Sequence, residues 1–193
     1  SRTGCPAFLS KFIVIGVIVL ALHFDLDIDK CSACGACAIA CMDQNDISIP
    51  DRERPLRCVF LREESNVSPS EKNKYQYFST ACMHCDDAPC INACPVGCLY
   101  KDPETNLTLF DTTNCIGCHS CAMACPFGAP AFTKEGKMQK CDGCIERIRH
   151  NMIPSCVRAC PNGALKLLSD GEEIEGGTHT LRKLASEILD GYF

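Results

Sequence analysis

Apolar and polar residues alternate in only a few short places along this chain. His23-Phe-Asp-Leu-Asp-Ile28 alternates strictly, and Leu107-Thr-Leu-Phe110 is a shorter stretch of the same kind. Both read as strands, and so does Arg57-Cys-Val-Phe-Leu-Arg62. A helical period shows near the C-terminus. Leu181, Leu184, Ile188 and Leu189 fall on one face, with Arg182, Lys183, Glu187 and Asp190 on the other. This is an amphipathic helix, expected to cap the domain. Two short runs, Ala38-Ile39-Ala40 and Ala122-Met123-Ala124, favour one or two helical turns. The segment Ser48 to Lys74 reads as an insertion, a surface hairpin whose Glu63 to Lys74 stretch is polar enough to be a loop. The pattern predicts an α+β fold of short strands and one-to-three-turn helices. Such elements bury too little by themselves, and small cores of this kind need metal or covalent staples.

The start of the chain stands apart. Phe12 to Leu22 is an unbroken apolar run, well below the roughly 20 residues a helix needs to span a bilayer. Arg2 and Lys11 ahead of it resemble a signal peptide. No small-residue cleavage site precedes His23, and there is no twin-arginine pair. The run is expected to pack against a partner.

Composition supplies the missing staples. Of 193 residues, 19 are cysteine, and sixteen of these form four groups. They are Cys31, Cys34, Cys37 and Cys41; Cys82, Cys85, Cys90 and Cys94; Cys115, Cys118, Cys121 and Cys125; and Cys141, Cys144, Cys156 and Cys160. Disulfides fit poorly, because cysteines this close in sequence make strained bridges. A four-cysteine zinc site could be read into the fourth group alone. The first and third groups read C-x2-C-x2-C-x3-C, the run that ligates [4Fe–4S] clusters in bacterial ferredoxins. Three thiolates from one tight loop crowd a single tetrahedral ion but suit a cube, whose iron corners are separate. The fourth cysteine lies about one helical turn further on and points away from its own loop. Pro95, Pro126 and Pro161 directly follow the fourth cysteine of three groups and turn the backbone aside; Cys41 is followed by Met42. Iron–sulfur ligation by all sixteen is therefore expected. The remaining Cys58 and Cys98 read as small buried hydrophobes. The other residue left over is Cys5.

The net charge of −5 becomes more negative once clusters are bound, and no basic patch points to nucleic acid. Lys30, Lys140, Arg147 and Arg158 flank the cysteine loops as ordinary solvated charge or as cations that offset cluster charge. His84 and His119 lie inside the loops, as hydrogen-bond donors to sulfur or simply exposed. His23, His150 and His179 are scattered. No nucleophile–base pair is evident, so the expected role is electron transfer without catalysis.

The order of the groups, with Cys82-Met-His-Cys85-Asp-Asp-Ala-Pro-Cys90-Ile-Asn-Ala-Cys94-Pro, Cys125-Pro-Phe-Gly-Ala, Lys140-Cys141-Asp-Gly-Cys144 and Cys156-Val-Arg-Ala-Cys160-Pro, resembles the four-cluster electron-transfer subunit of the dimethyl sulfoxide reductase superfamily. The likeness runs from about Phe24 to Leu167. It implies interleaved ligation. Cys31, Cys34 and Cys37 would join Cys160, and Cys41 would join Cys141, Cys144 and Cys156. Cys82, Cys85 and Cys90 would join Cys125, and Cys94 would join Cys115, Cys118 and Cys121. The fold would be two interleaved bacterial-ferredoxin-like halves. The outer half would be 24–50 plus 136–170 and the inner half 76–135, with 51–75 inserted. Residues 1–23 would be an apolar extension and 171–193 a tail bearing the amphipathic helix. A [3Fe–4S] variant of such subunits carries Trp where this sequence has Cys118, so four [4Fe–4S] clusters are implied. The resemblance further implies a large molybdenum- or tungsten-pterin catalytic partner, a quinone-handling membrane subunit or soluble carrier, and a place in the cytoplasm or peripheral to the membrane. A free soluble polyferredoxin and a zinc interaction module are the competing readings.

Overall fold

The computed structural model describes residues 21–51, 53–63, 75–177 and 180–190, the last five by backbone alone. Most of the apolar Phe12 to Leu22 run, the Glu63 to Lys74 loop beyond Glu63, Cys5 and His179 lie outside the described residues. In chain order the elements are β1 (Leu22–Leu26), α1 (Ala36–Gln44), β2 (Cys58–Glu63), β3 (Tyr75–Thr80), α2 (Pro89–Asn92), β4 (Leu99–Lys101), β5 (Thr108–Phe110), α3 (Ser120–Ala124), β6 (Ala131–Phe132), β7 (Met138–Gln139), α4 (Ile145–Arg149), α5 (Ser155–Arg158), β8 (Leu165–Ser169) and α6 (Leu181–Asp190).

The first strand pairs with the last. β1 and β8 run antiparallel, from Leu22 opposite Ser169 to Leu26 opposite Leu165. Phe24, Leu26, Leu165 and Leu167 are buried in this ladder, against Leu107, Leu109 and Ile145. Burying each such side chain contributes about 1.5–3 kcal/mol. That energy closes a loop of most of the sequence. It sets α1 against α5, and so the first cysteine group beside the fourth. A second antiparallel ladder repeats the arrangement inside the first. β4 pairs with β5, Leu99 opposite Phe110, and α2 packs on α3. Ala88, Cys90, Leu99, Cys121 and Met138 form the core there. The protein is thus ferredoxin-like, of mixed helix and strand, with short ladders and paired short helices.

Alternation in β1 placed Asp25 and Asp27 on an outer face, yet both are buried. α6 lies against β1, and the Arg182 amide donates to Asp25 Oδ1 at 3.0 Å. Asp27 pairs with Lys30 at 2.6 Å. The capping helix expected from the periodicity has covered that face. The β2–β3 hairpin also differs from a plain surface insertion. Phe60, Leu61 and Tyr75 are exposed toward its tip, and Phe60 stacks on Phe78. Its base is inside the molecule, with Leu56, Arg57 and Ser79 all buried. The β6–β7 ladder is only two residues long on each side, too short to show a period. Among the described residues no helix is long and apolar enough to cross a membrane.

Candidate metal centre

The cysteine loops share one backbone device. The residue before the second cysteine of every group is left-handed: Ala33 at φ 54°, His84 at 49°, Gly117 at 66° and Gly143 at 75°. This reversal turns successive thiols inward. At Gly117 a side chain is excluded outright, since a Cβ would lie 2.6 Å from the Gly136 carbonyl oxygen. A second device follows the fourth cysteine. Three groups read Cys-Pro-x-Gly, and Gly97, Gly128 and Gly163 are left-handed. The backbone then folds back over the sulfur. Cys98 N–H donates to Cys94 Sγ at 3.2 Å, and Ala129 N–H donates to Cys125 Sγ at 3.4 Å. Cys41 lacks this turn. Asn45, four residues on, donates to its Sγ from Nδ2 at 3.5 Å instead. Met138 N–H to Cys115 Sγ and Gly143 N–H to Cys141 Sγ, both 3.4 Å, extend the pattern. Such donors favour thiolate over thiol.

The thiols gather in sets that cross the sequence groups. Cys31, Cys34, Cys37 and Cys160 line one small pocket. Cys94, Cys115, Cys118 and Cys121 line another. Cys41, Cys144 and Cys156 are mutual electrostatic neighbours, and Cys141 neighbours Cys41 and Cys156. Cys85 likewise neighbours Cys82, Cys90 and Cys125. Cysteines of different groups also share hydrophobic cores. Cys31, Cys37 and Cys160 pack on the core that holds Cys156. Cys82 packs with Cys141. Cys90 packs with Cys121. Burial pushes the Cys41 thiol up to about 12, with Cys156 adding to it. Burial also drives Cys141 well above the ordinary thiol range, against the pull of Arg57. Thiols so placed keep their protons until a metal displaces them.

An iron–sulfur cluster fits these sets. Four thiols line each of the two spaces, as separate iron corners require, and no described cysteine is disulfide-bonded. Among the described residues, buried donors also lack acceptors: Arg57 Nε, His84 Nε2 and Gln139 Nε2. Inorganic sulfide is an acceptor of the kind they need.

His84 is buried, which overturns simple exposure. Its Nδ1 accepts from Thr108 N–H at 3.0 Å. Burial, then Lys140 and Lys101, hold its pKa well below the usual histidine range, so the ring is neutral and Nε2 carries the proton. His119 is exposed and stacks on Phe132 at 3.7 Å between centroids. Lys140 is buried, donating to the Thr108 and Cys141 carbonyls. The other flanking cations are less intimate. Lys30 pairs with Asp27, Arg147 donates to the Ile153 carbonyl, and Arg158 is exposed. Cys98 is buried as expected, and burial pushes its thiol up to about 11. Cys58 is only half-buried, on the exposed hairpin. Arg57 and Lys101 carry no signal in the sequence that marks them as neighbours of the thiols. Lys101, at the end of β4, donates to the Cys85 and Asn106 carbonyls.

Comparison with known proteins agrees with this chemistry. The family described as 4Fe-4S dicluster domain matches residues 73–170, which hold three of the four cysteine groups. A chain of the anaerobic dimethyl sulfoxide reductase of Escherichia coli (strain K12) is 36% identical over 149 residues, covering 74% of this protein and 70% of the relative. A subunit of the sulfite dehydrogenase of Allochromatium vinosum is 34% identical over 165 residues, covering 75% and 66%. The iron-sulfur subunit of the nitrate-inducible formate dehydrogenase of Escherichia coli (strain K12) is 30% identical over 174 residues, covering 82% and 58%. The protein belongs to the 4Fe-4S dicluster family, as an iron–sulfur electron-transfer subunit of the oxidoreductase type. The zinc and disulfide readings end there.

Proposed function

We propose that the chain holds four [4Fe–4S] clusters in a row and passes electrons along them between a molybdenum- or tungsten-pterin catalytic subunit and a quinone-handling membrane subunit or soluble carrier. One observation carries the reading: the two spaces lined by four thiols each take three cysteines from one group and one from another. The ligand sets are then Cys31, Cys34, Cys37 and Cys160 (set one); Cys41, Cys141, Cys144 and Cys156 (set two); Cys82, Cys85, Cys90 and Cys125 (set three); and Cys94, Cys115, Cys118 and Cys121 (set four). The β1–β8 and β4–β5 ladders support two interleaved halves, outer and inner. The shared cores, which link set one to two, two to three and three to four, support a linear wire.

Each cluster supplies a one-electron couple when bound. The protein's own residues do the rest. Backbone and Asn45 donors stabilise thiolate sulfur, while the neutral His84 ring and apolar side chains limit water around the middle sets. Hydrogen bonds to sulfur and restricted solvent are the levers that set reduction potentials. Cys34 and Cys118 are exposed, at opposite ends of the row, where partners would exchange electrons. The catalytic partner is inferred from the dimethyl sulfoxide reductase and formate dehydrogenase relatives. A place peripheral to a membrane, within such a complex, is part of the same proposal.

The test is metal and acid-labile sulfide analysis of anaerobically purified protein. About sixteen iron and sixteen sulfide per molecule are expected from four cubanes. About twelve of each, on the same cubane arithmetic, would remove one cluster from the reading, and set two would be the first suspect because Cys41 lacks its proline turn. Co-purification of a large pterin-bearing subunit in one-to-one ratio tests the partner. A monomeric protein from native extracts would make it a free polyferredoxin.

A further inference from the structure

Arg57 enters the molecule from the base of the β2–β3 hairpin, a segment without any cluster motif. Its side chain is 3% exposed. A guanidinium in such a place is costly unless negative charge or acceptors compensate. Among the described residues no carboxylate forms an ion pair with it. Its hydrogen bonds go to one residue, from Nη1 to Ser79 Oγ at 3.1 Å and to the Ser79 carbonyl at 3.4 Å. Its Nε is buried with no partner among those residues. Ser79 is 1% exposed, and its Oγ lies 3.2 Å from Cys37 Sγ. With Cys37 as a ligating thiolate, that hydroxyl donates to sulfur and accepts from Arg57. Arg57 also lines a small cavity with Cys82 and Met83.

We infer that Arg57 is a fixed positive charge that raises the reduction potential of set one, and that Ser79 transmits part of its effect to Cys37. Reduction adds negative charge to a cluster. A buried cation nearby stabilises the reduced form more than the oxidised one, and low dielectric strengthens the effect. The counter-charge that keeps Arg57 inside is therefore the cluster itself. A guanidinium keeps its charge even where it is buried. The planar fork suits Arg better than Lys, because separate N–H groups can address Ser79 and sulfur at once.

This inference rests on the ligand sets proposed above, and the experiment separates the two. The cluster-loaded full chain is titrated anaerobically and followed by low-temperature EPR, in the parent and in Arg57→Gln, Arg57→Lys and Ser79→Ala. Iron and sulfide content reports on ligation, and potentials report on Arg57. Arg57→Gln is expected to lower one of the four couples by tenfold or more in reduced-to-oxidised ratio at fixed potential, or about 59 mV for a one-electron couple. Ser79→Ala should lower that couple by less, and Arg57→Lys should hold most of the parental values. Full metal content with all four potentials unchanged in both Arg57→Gln and Ser79→Ala would overturn the role of Arg57 and leave the ligand sets intact. Should Arg57→Gln not load its clusters, an unshifted Ser79→Ala overturns the inference alone, and a lowered single couple upholds it.

Discussion

Gly117 concentrates the demands of a cysteine loop in one residue. It is left-handed at φ 66°, and a Cβ on it would lie 2.6 Å from the Gly136 carbonyl oxygen. Gly117→Ala should cost about 1–2 kcal/mol in backbone strain, with the steric clash added to it. The expected result is a lower urea midpoint and about four irons fewer per molecule, the content of one cubane. A variant with unchanged midpoint and iron content would show that the loop has another way to turn. At this scale the sequence was most legible. Tight cysteine spacing and Cys-Pro are local signals, because the geometry they impose spans only a few residues. Arg57, Ser79 and Lys101 carried no such signal. A single charge at the start of a strand-like run is ordinary, and only long-range packing buries it beside sulfur.

The β1–β8 ladder decides which cysteines meet. Leu26, 1% exposed, sits opposite Leu165 at the end of the ladder that leads into the first loop. Leu26→Ala should cost about 2–5 kcal/mol, the usual range for a buried leucine. It should also loosen Cys160 from the Cys31 loop, so that iron is lost first from set one. Urea unfolding and the EPR of the remaining clusters check this; a destabilised protein with all clusters intact would uncouple the ladder from ligation. The strands at 23–28 and 107–110 were readable from alternation, within two residues of their observed bounds. Their partners were not. Pairing joins residues more than a hundred positions apart in β1–β8, and alternation says nothing of which strand lies opposite.

Across the molecule, exposure is graded along the row of thiol sets. Cys34 and Cys118 are exposed, whereas every cysteine of set two is buried. Oxygen attack needs access to the cluster. Brief exposure to air should therefore release iron in two phases, the fast one from sets one and four. Timed iron release with parallel EPR would show it, and a single phase would contradict the graded shielding. The same gradient suits transfer, since the ends must meet partners and the middle must not leak electrons to solvent.

By itself the sequence determined the chemistry: sixteen thiols in four ferredoxin-type groups and a core too small to stand without metal. These follow from composition and spacing within a few residues. Only the tertiary structure decided that Cys41, Cys141, Cys144 and Cys156 are sheltered, and that Arg57 is buried next to Ser79 and, through it, Cys37. Those properties depend on strand pairings and burial between distant segments, where hydrophobic packing rather than local spacing sets the neighbours.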